Sequence, residues 1–308
     1  MARVKFPAWT DATSDAASAV YGIAAETLEI VRAQEWGICA DDGVEHCHDH
    51  RVGLRRVRSL MRLAKDVVDP ETRTVLRREL GVLARSSNRL RDLDVQLADQ
   101  AGLQAMVPVE LHEGLQIVFA EARRARAQEQ VAVADWLQSE EAATSWQCID
   151  EAIAAAAPGP QGSERLAAWM PERMRRAHRR LIKSGRVLGD APEDSAIHQV
   201  RINGKQLRYL LDLFGPAVDG ARAKSLIQAL KRLQDCLGRA NDLAVQRSNL
   251  LNDACVVVDD GATVNLALGA LIGSVHQQLR SRRTQVRAAI GRFDSKAMRA
   301  LVKTFGRG

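Results

Sequence analysis

Two blocks of this chain recur at one fixed spacing, and that repeat limits what the chain folds into more than any other feature. His48-x-x-Arg51-x-x-x-Arg55-Arg56-x-Arg58 returns as His198-x-x-Arg201-x-x-x-Lys205-Gln206-x-Arg208. Arg89-x-x-Asp92-Leu93-x-Val95-Gln96 returns as Arg239-x-x-Asp242-Leu243-x-Val245-Gln246. Both pairs are 150 residues apart, so the histidine-to-aspartate distance is 44 residues in each copy. A shared offset in two independent blocks marks a duplicated structural unit.

Each unit reads as helical. Aromatic residues are only 4% of the 308, and long Val/Ile/Thr alternation is missing, which favours helix over sheet. Apolar periodicity and Gly/Pro breaks predict helices over residues 15–36, 44–68, 71–101 and from 108 to 157 with a break near Ser139. Pro158-Gly159-Pro160-Gln161-Gly162 reads as a linker, after which helices are expected over 164–187, 195–214, about 221–254 and 263–290, with a break at Gly215-Pro216. The expected organisation is a first four-helix unit at 10–157, a linker at 158–162 and a second four-helix unit at 163–300.

The chemistry lies on one face of the repeated helix. Positions i, i+3, i+7 and i+10 share a side, so His48, Arg51, Arg55 and Arg58, continued by Arg62, form one row, and His198, Arg201, Lys205 and Arg208 form another. Leu54, Val57, Met61 and Ala64 line the opposite side of the first helix, and Val200, Leu207, Leu211 and Phe214 that of the second, as core stripes. A merely solvated helix mixes signs, because like charges at i,i+4 cost a few tenths of a kcal/mol each. Neither row contains an acid, which points to a partner supplying negative charge, a polyanion. A histidine at the head of such a row gains a proton more readily once an anion arrives, so binding should strengthen toward lower pH. Asp92 and Asp242 read as groups that orient an Arg or His, with Arg89, Arg239 and Tyr209 in the same supporting set.

The net charge of +6 is unevenly placed. Arg173, Arg175, Arg176, Arg179, Arg180, Lys183 and Arg186 follow one another without an intervening acid. Of these, Arg173, Arg176, Arg180 and Lys183 share a helix face and join Arg56 as further candidate contacts, so the ligand is expected nearer the C-terminal half. Five scattered cysteines, Cys39, Cys47, Cys148, Cys236 and Cys255, with no C-x-x-C pair, fit thiols in a reducing compartment. The N-terminus lacks the apolar core of a signal peptide and 264–275 is too short to span a bilayer, so a cytoplasmic location is expected.

At His48 to Arg58, Arg91-Asp92-Leu93-Asp94-Val95, His198 to Tyr209, and Leu237-Gly238 with Asn241-Asp242-Leu243, the chain resembles the CHAD family, the conserved histidine α-helical domain. The resemblance covers about residues 10 to 300. It implies an all-α fold of two four-helix bundles related by a pseudo-twofold axis, with the basic rows lining a central groove or pore, and inorganic polyphosphate as ligand. Asn88 stands where the second copy has Gly238, and His50 occupies a slot that is usually apolar in the family. Members often follow a triphosphatase-type CYTH domain opening with Glu-x-Glu-x-Lys; that motif is missing, so a stand-alone CHAD protein is expected.

Three rival readings compete. His46-Cys47-His48-Asp49-His50 suggests a metal-dependent phosphohydrolase, but on a helix these side chains diverge, and His-Asp phosphohydrolases need an upstream histidine that is lacking here. A phosphate backbone of RNA or DNA would also satisfy a basic row, yet five Trp, five Phe and two Tyr give few stacking platforms. A scaffold attaching to granules or protein partners is the third. The expectation is therefore a non-enzymatic polyphosphate-binding protein with no cofactor and no metal, weak RNA or DNA binding as the alternative, and a place at polyphosphate granules.

Overall fold

A computed structural model describes residues 4–256 and 261–306, with the side chains of 252–256 left aside. Among the described residues there are eleven α-helices and no β-strand, so the chain is all-α. None of these helices is long and apolar enough to cross a membrane.

Local signals start most of them. Helix α1 (Ala16–Cys39) begins where the Asp15 carboxylate accepts from the Ser18 N–H, and it buries Val20, Ile23, Leu28 and Val31. Gly43, at φ 95°, makes the turn into α2 (Val44–Leu63) with a backbone that L side chains resist. Asp69 caps α3 (Pro70–Ser86) by accepting from Glu71 and Thr72, with Pro70 in the first turn. The element expected over 71–101 is divided at Ser87 and Asp99 into α3, α4 (Asn88–Ala98) and α5 (Gln100–Gln104). A 3-10 turn (Val109–Leu111) leads to α6 (His112–Leu137), and Ser139 caps α7 (Glu140–Ala154) at the expected break.

The second half has four helices: α8 (Leu166–Arg186), α9 (Asp194–Val256), α10 (Ala262–Phe293) and α11 (Lys296–Thr304). The break expected at Gly215-Pro216 falls instead at Asp219, the one residue of α9 with non-helical φ/ψ. Its carboxylate accepts from the Arg222 N–H at 3.1 Å, capping the next stretch as a helix start would be capped. Helix α11, which periodicity did not announce, is capped by Ser295 and puts Val302 into the core.

The core stripes lie as the periodicity predicts: Leu54, Val57, Met61, Ala64, Val200, Leu207, Leu211 and Phe214 are all buried. They belong to one hydrophobic cluster that also takes in α1, α3, α8, α11 and the end of α10, so the two repeats bury apolar surface against each other. A smaller cluster joins Leu103, Leu115 and Phe119 of the first half to Leu250, Val264, Leu268 and Leu271 of the second. Cys39, Cys47, Cys148 and Cys236 are free thiols; Cys255 lies outside the described side chains.

The segment at 158–162 is docked. The N–H groups of Gly159 and Gln161 donate to the carbonyls of Val67 and Asp66, each at 2.7 Å, just past the end of α2. The approach needs glycine: a Cβ on Gly162 would stand 2.8 Å from the Val67 carbonyl oxygen. Gly162→Val should therefore cost about 1–3 kcal/mol through overpacking and lower Tm by several degrees in calorimetry. An unchanged Tm would show that this docking contributes nothing to stability.

Candidate functional site

Helix α2 meets the first part of α9, and this meeting brings the two histidine-led helices together. Beside it lies a cavity of about 750 Å³. Its walls carry His48, Arg51 and Arg55 from α2, Arg91 and Asp92 from α4, Arg201, Lys205, Arg239 and Asp242 from α9, and Arg282 from α10. Gln96, Gln246, Asn249 and Gln278 add amides, and Asp99 a third carboxylate. Val52, Val95, Leu103, Met106, Leu243, Val245 and Leu250 make the rest, with no Trp, Tyr or Phe among the lining residues. Six repeat-equivalent pairs converge here: Arg51 with Arg201, Arg55 with Lys205, Asp92 with Asp242, Val95 with Val245, Gln96 with Gln246, and Asp99 with Asn249.

Arg51 and Arg55 are held by groups that leave their charge intact. The Arg51 Nη1 donates to the Ala84 carbonyl at 2.8 Å and to Ser87 Oγ at 3.4 Å. That carbonyl lies in the last turn of α3, where helical partners run out and the helix dipole favours a cation. The Arg55 Nε donates to the Tyr209 hydroxyl of α9 at 3.3 Å. Arg56 turns away from the cavity; its guanidinium lies 3.7 Å from the Asp212 carboxylate and 4.7 Å from the Phe6 ring centre. Arg201 lies 3.5 Å from Asp242, so that carboxylate braces an arginine. His198 is exposed outside the cavity lining, and its Nδ1 sits 2.8 Å from Asn241 Oδ1, a contact in which Nδ1 carries the proton.

Burial and neighbouring charges shift titrations here. Burial, then the charges of Arg55 and Arg201, pulls the Lys205 ammonium down to about 7. Burial also raises the Asp92 carboxyl, against the attraction of Arg51 and Arg91. The cavity is therefore a place where positive charges are held close without enough acid to neutralise them.

Several sequence-predicted residues lie elsewhere. Arg208 is directed to Asp212 at 2.9 Å and Gln234 at 3.4 Å, and Arg58 faces α3, so the far ends of both rows leave the cavity. On α8, Arg173 is buried against Asp66 and bonded to Gln161 at 2.7 Å. Glu172, one residue before the acid-free run, serves Arg176 at 2.8 Å, Arg175 at 3.4 Å and Arg179 at 3.5 Å. Arg180 donates to Gln206 at 3.3 Å, and Lys183 is exposed. Arg89 pairs with Glu129 at 3.4 Å, whereas its repeat partner Arg239 lines the cavity. Asp66 and Glu172 thus pair through space with Arg173, Arg175, Arg176 and Arg179 of α8, while Arg180 and Lys183 have no acidic partner among the described residues. Arg91 and Arg282 were missed as site residues: Arg91 stands beside the recognised Asp92, and Arg282 sits in a basic tail with no signal of its orientation.

The His46–His50 run fans out as helical spacing requires. His46 Nδ1 is 3.0 Å from Gln34, Asp49 is buried, and fully buried His50 lies 3.4 Å from Glu35. Among the described residues no three His, Cys, Asp or Glu side chains gather as metal ligands.

Comparison with known proteins gives a consistent picture. The crystal structure of the CHAD domain from the plant Ricinus communis superposes with a TM-score of 0.75 at 23% identity, covering 94% of this chain and 96% of that one. PptA from Streptomyces chartreusis superposes with a TM-score of 0.68 at 16% identity, covering 90% and 99%. The uncharacterized protein MT2285 of Mycobacterium tuberculosis is 24% identical over 267 residues, 84% of this chain. The chain spans about half the length of that curated relative. The CHAD domain profile matches residues 22–251, from within α1 to near the end of α9, a narrower span than the 10–300 expected from the motifs, and by that match the chain belongs to the CHAD domain family.

Proposed function

We propose that this protein binds inorganic polyphosphate, without catalysing a reaction on it, in the cavity between α2, α4, α9 and α10. The observation that carries the reading is the convergence of Arg51, Arg55, Arg201 and Lys205, from both copies of the repeat, on one cavity. An anion with a charge on every repeating unit satisfies several cations at once, and Arg offers it forked bonds. Membership of the CHAD family supports polyphosphate in particular. The lining without aromatic rings supports it over RNA or DNA, since an unstacked base would find only aliphatic and amide surface there. Retention at polyphosphate granules follows as the cellular consequence, with His48 at the cavity wall as a further donor and the exposed His198 at its margin.

Arg55→Glu with Arg201→Glu should weaken polyphosphate binding by tenfold or more, each lost charge-assisted bond being worth about 1.5–3 kcal/mol. Arg299→Glu with Lys303→Glu, on α11 away from the cavity lining, should leave it nearly unchanged. Equal losses in a fluorescence titration would defeat the cavity reading.

Lys205 predicts a pH dependence with a definite sign. Burial and the neighbouring arginines hold its ammonium at about 7, and a bound polyanion raises that value, so binding above pH 7 takes up a proton. Affinity should fall as pH rises from 7 to 9, by at most about tenfold per unit for one proton. Lys205→Arg, permanently charged, should bind with a flatter profile; an unchanged profile would show that Lys205 does not face the ligand.

A further inference from the structure

The first repeat carries a second cationic surface that its twin lacks. Arg58 and Arg62 on α2 face Arg77 and Arg85 on α3, and all four side chains are exposed. The Arg58 charge is opposed by burial and by Arg62, Arg85 and Arg77, with no acid among its neighbours. Gly81 forms the floor between them: a Cβ there would meet Arg85 Nη1 at 3.4 Å and Arg58 Nη2 at 3.8 Å. Among the described residues none of the four arginines has a hydrogen bond or ion pair to a carboxylate.

The second repeat serves as an internal control. At the 150-residue offset Arg58 corresponds to Arg208, Arg62 to Asp212, Arg77 to Ile227, and Arg85 to Asp235. Two acids stand where the first copy has arginines, and Asp212 holds Arg208 at 2.9 Å. The scaffold thus accepts a charge-balanced version of this face, and the first copy carries the unbalanced one. Like charges so placed repel across helix turns and between neighbouring helices. The surface is also continuous with the cavity. Arg51 lines the cavity and donates to Ala84, next to Arg85, while Arg55 and Arg58 are neighbours along α2. From Arg55 to Arg62 the helix rises by about 10 Å.

We propose that the α2–α3 face is a second anion-binding surface, present on the first repeat alone, that takes the part of a linear phosphate polyanion extending out of the cavity. This rests on the cavity reading above and adds a preference to it: chains long enough to reach both surfaces are held more tightly than chains that fill the cavity alone.

The test compares wild type, the triple variant Arg62→Gln, Arg77→Gln, Arg85→Gln, and the cavity variant Arg201→Glu, each titrated with tripolyphosphate and with long-chain polyphosphate at several salt concentrations. The triple variant should lose fivefold or more in long-chain affinity. Its dependence of log affinity on log salt should become shallower by about two, at roughly 0.7 per contact. Its tripolyphosphate affinity should stay within twofold of wild type, while the cavity variant weakens both probes. Thermal melting at low salt gives a readout independent of ligand: with the repulsion removed, the triple variant should melt higher than wild type, and a lower melting temperature would contradict the repulsion. Long-chain affinity unchanged in the triple variant overturns the second surface and leaves the cavity reading standing. A cavity variant that binds both probes as wild type does overturns the cavity reading, and the second surface as its extension falls with it.

Discussion

The meeting of α2 with α9 is the constraint on which the rest of this structure turns. It places cations from both copies of a repeat around one cavity, and it is fixed by Arg55 donating to Tyr209 and by Arg56 lying beside Asp212. Arg51 and Arg55 are anchored through hydrogen bonds to neutral groups, a helix-end carbonyl and hydroxyls, so the positive field survives the anchoring. The lowered Lys205 ammonium registers burial first and then the cost of crowding with Arg55 and Arg201. A bound polyanion removes the cost at the moment it arrives, a coupling between the charge distribution of the fold and affinity for phosphate chains.

The placement of the acids matters as much as that of the bases. Helix α8 is the most cationic stretch of the chain, yet Glu172, Asp66 and Asp294 draw most of its arginines into ion pairs. Helices α2 and α3, less conspicuous by count, keep Arg58, Arg62, Arg77 and Arg85 without an acidic partner among the described residues. Net charge per segment therefore hides which arginines have an acidic partner and which have none.

Much of the fold was legible in the sequence because its signals are local. Asp15, Asp69 and Ser139 cap helices where they stand, and the apolar stripes of α2 and α9 are buried as their spacing requires. The division at Ser87 was not legible, since Leu76, Leu80, Leu83 and Leu90 continue an apolar rhythm through it. Gly238, at the place of Asn88 in the other copy, stays inside a helix although glycine is the better breaker. Beside the break in the first copy, Arg51 donates to the Ala84 carbonyl, a contact between distant helices that no local signal announces. Within the site, Arg51, Arg55, Arg201 and Lys205 could be read from one helix face, whereas Arg91, Arg239 and Arg282 as lining residues depend on which helices meet. The partners of Arg173 and Arg176, Asp66 and Glu172, lie outside the acid-free run itself, so the run alone does not show the pairing.

The central claim is that several cations from both repeats act together on one phosphate chain. It is tested most directly by competition between long-chain polyphosphate and transfer RNA for the labelled protein at low and moderate salt, with heparin as a second polyanion. The account predicts that polyphosphate displaces both competitors at moderate salt, where nonspecific contacts are screened. Transfer RNA that stays bound against polyphosphate at moderate salt would contradict it.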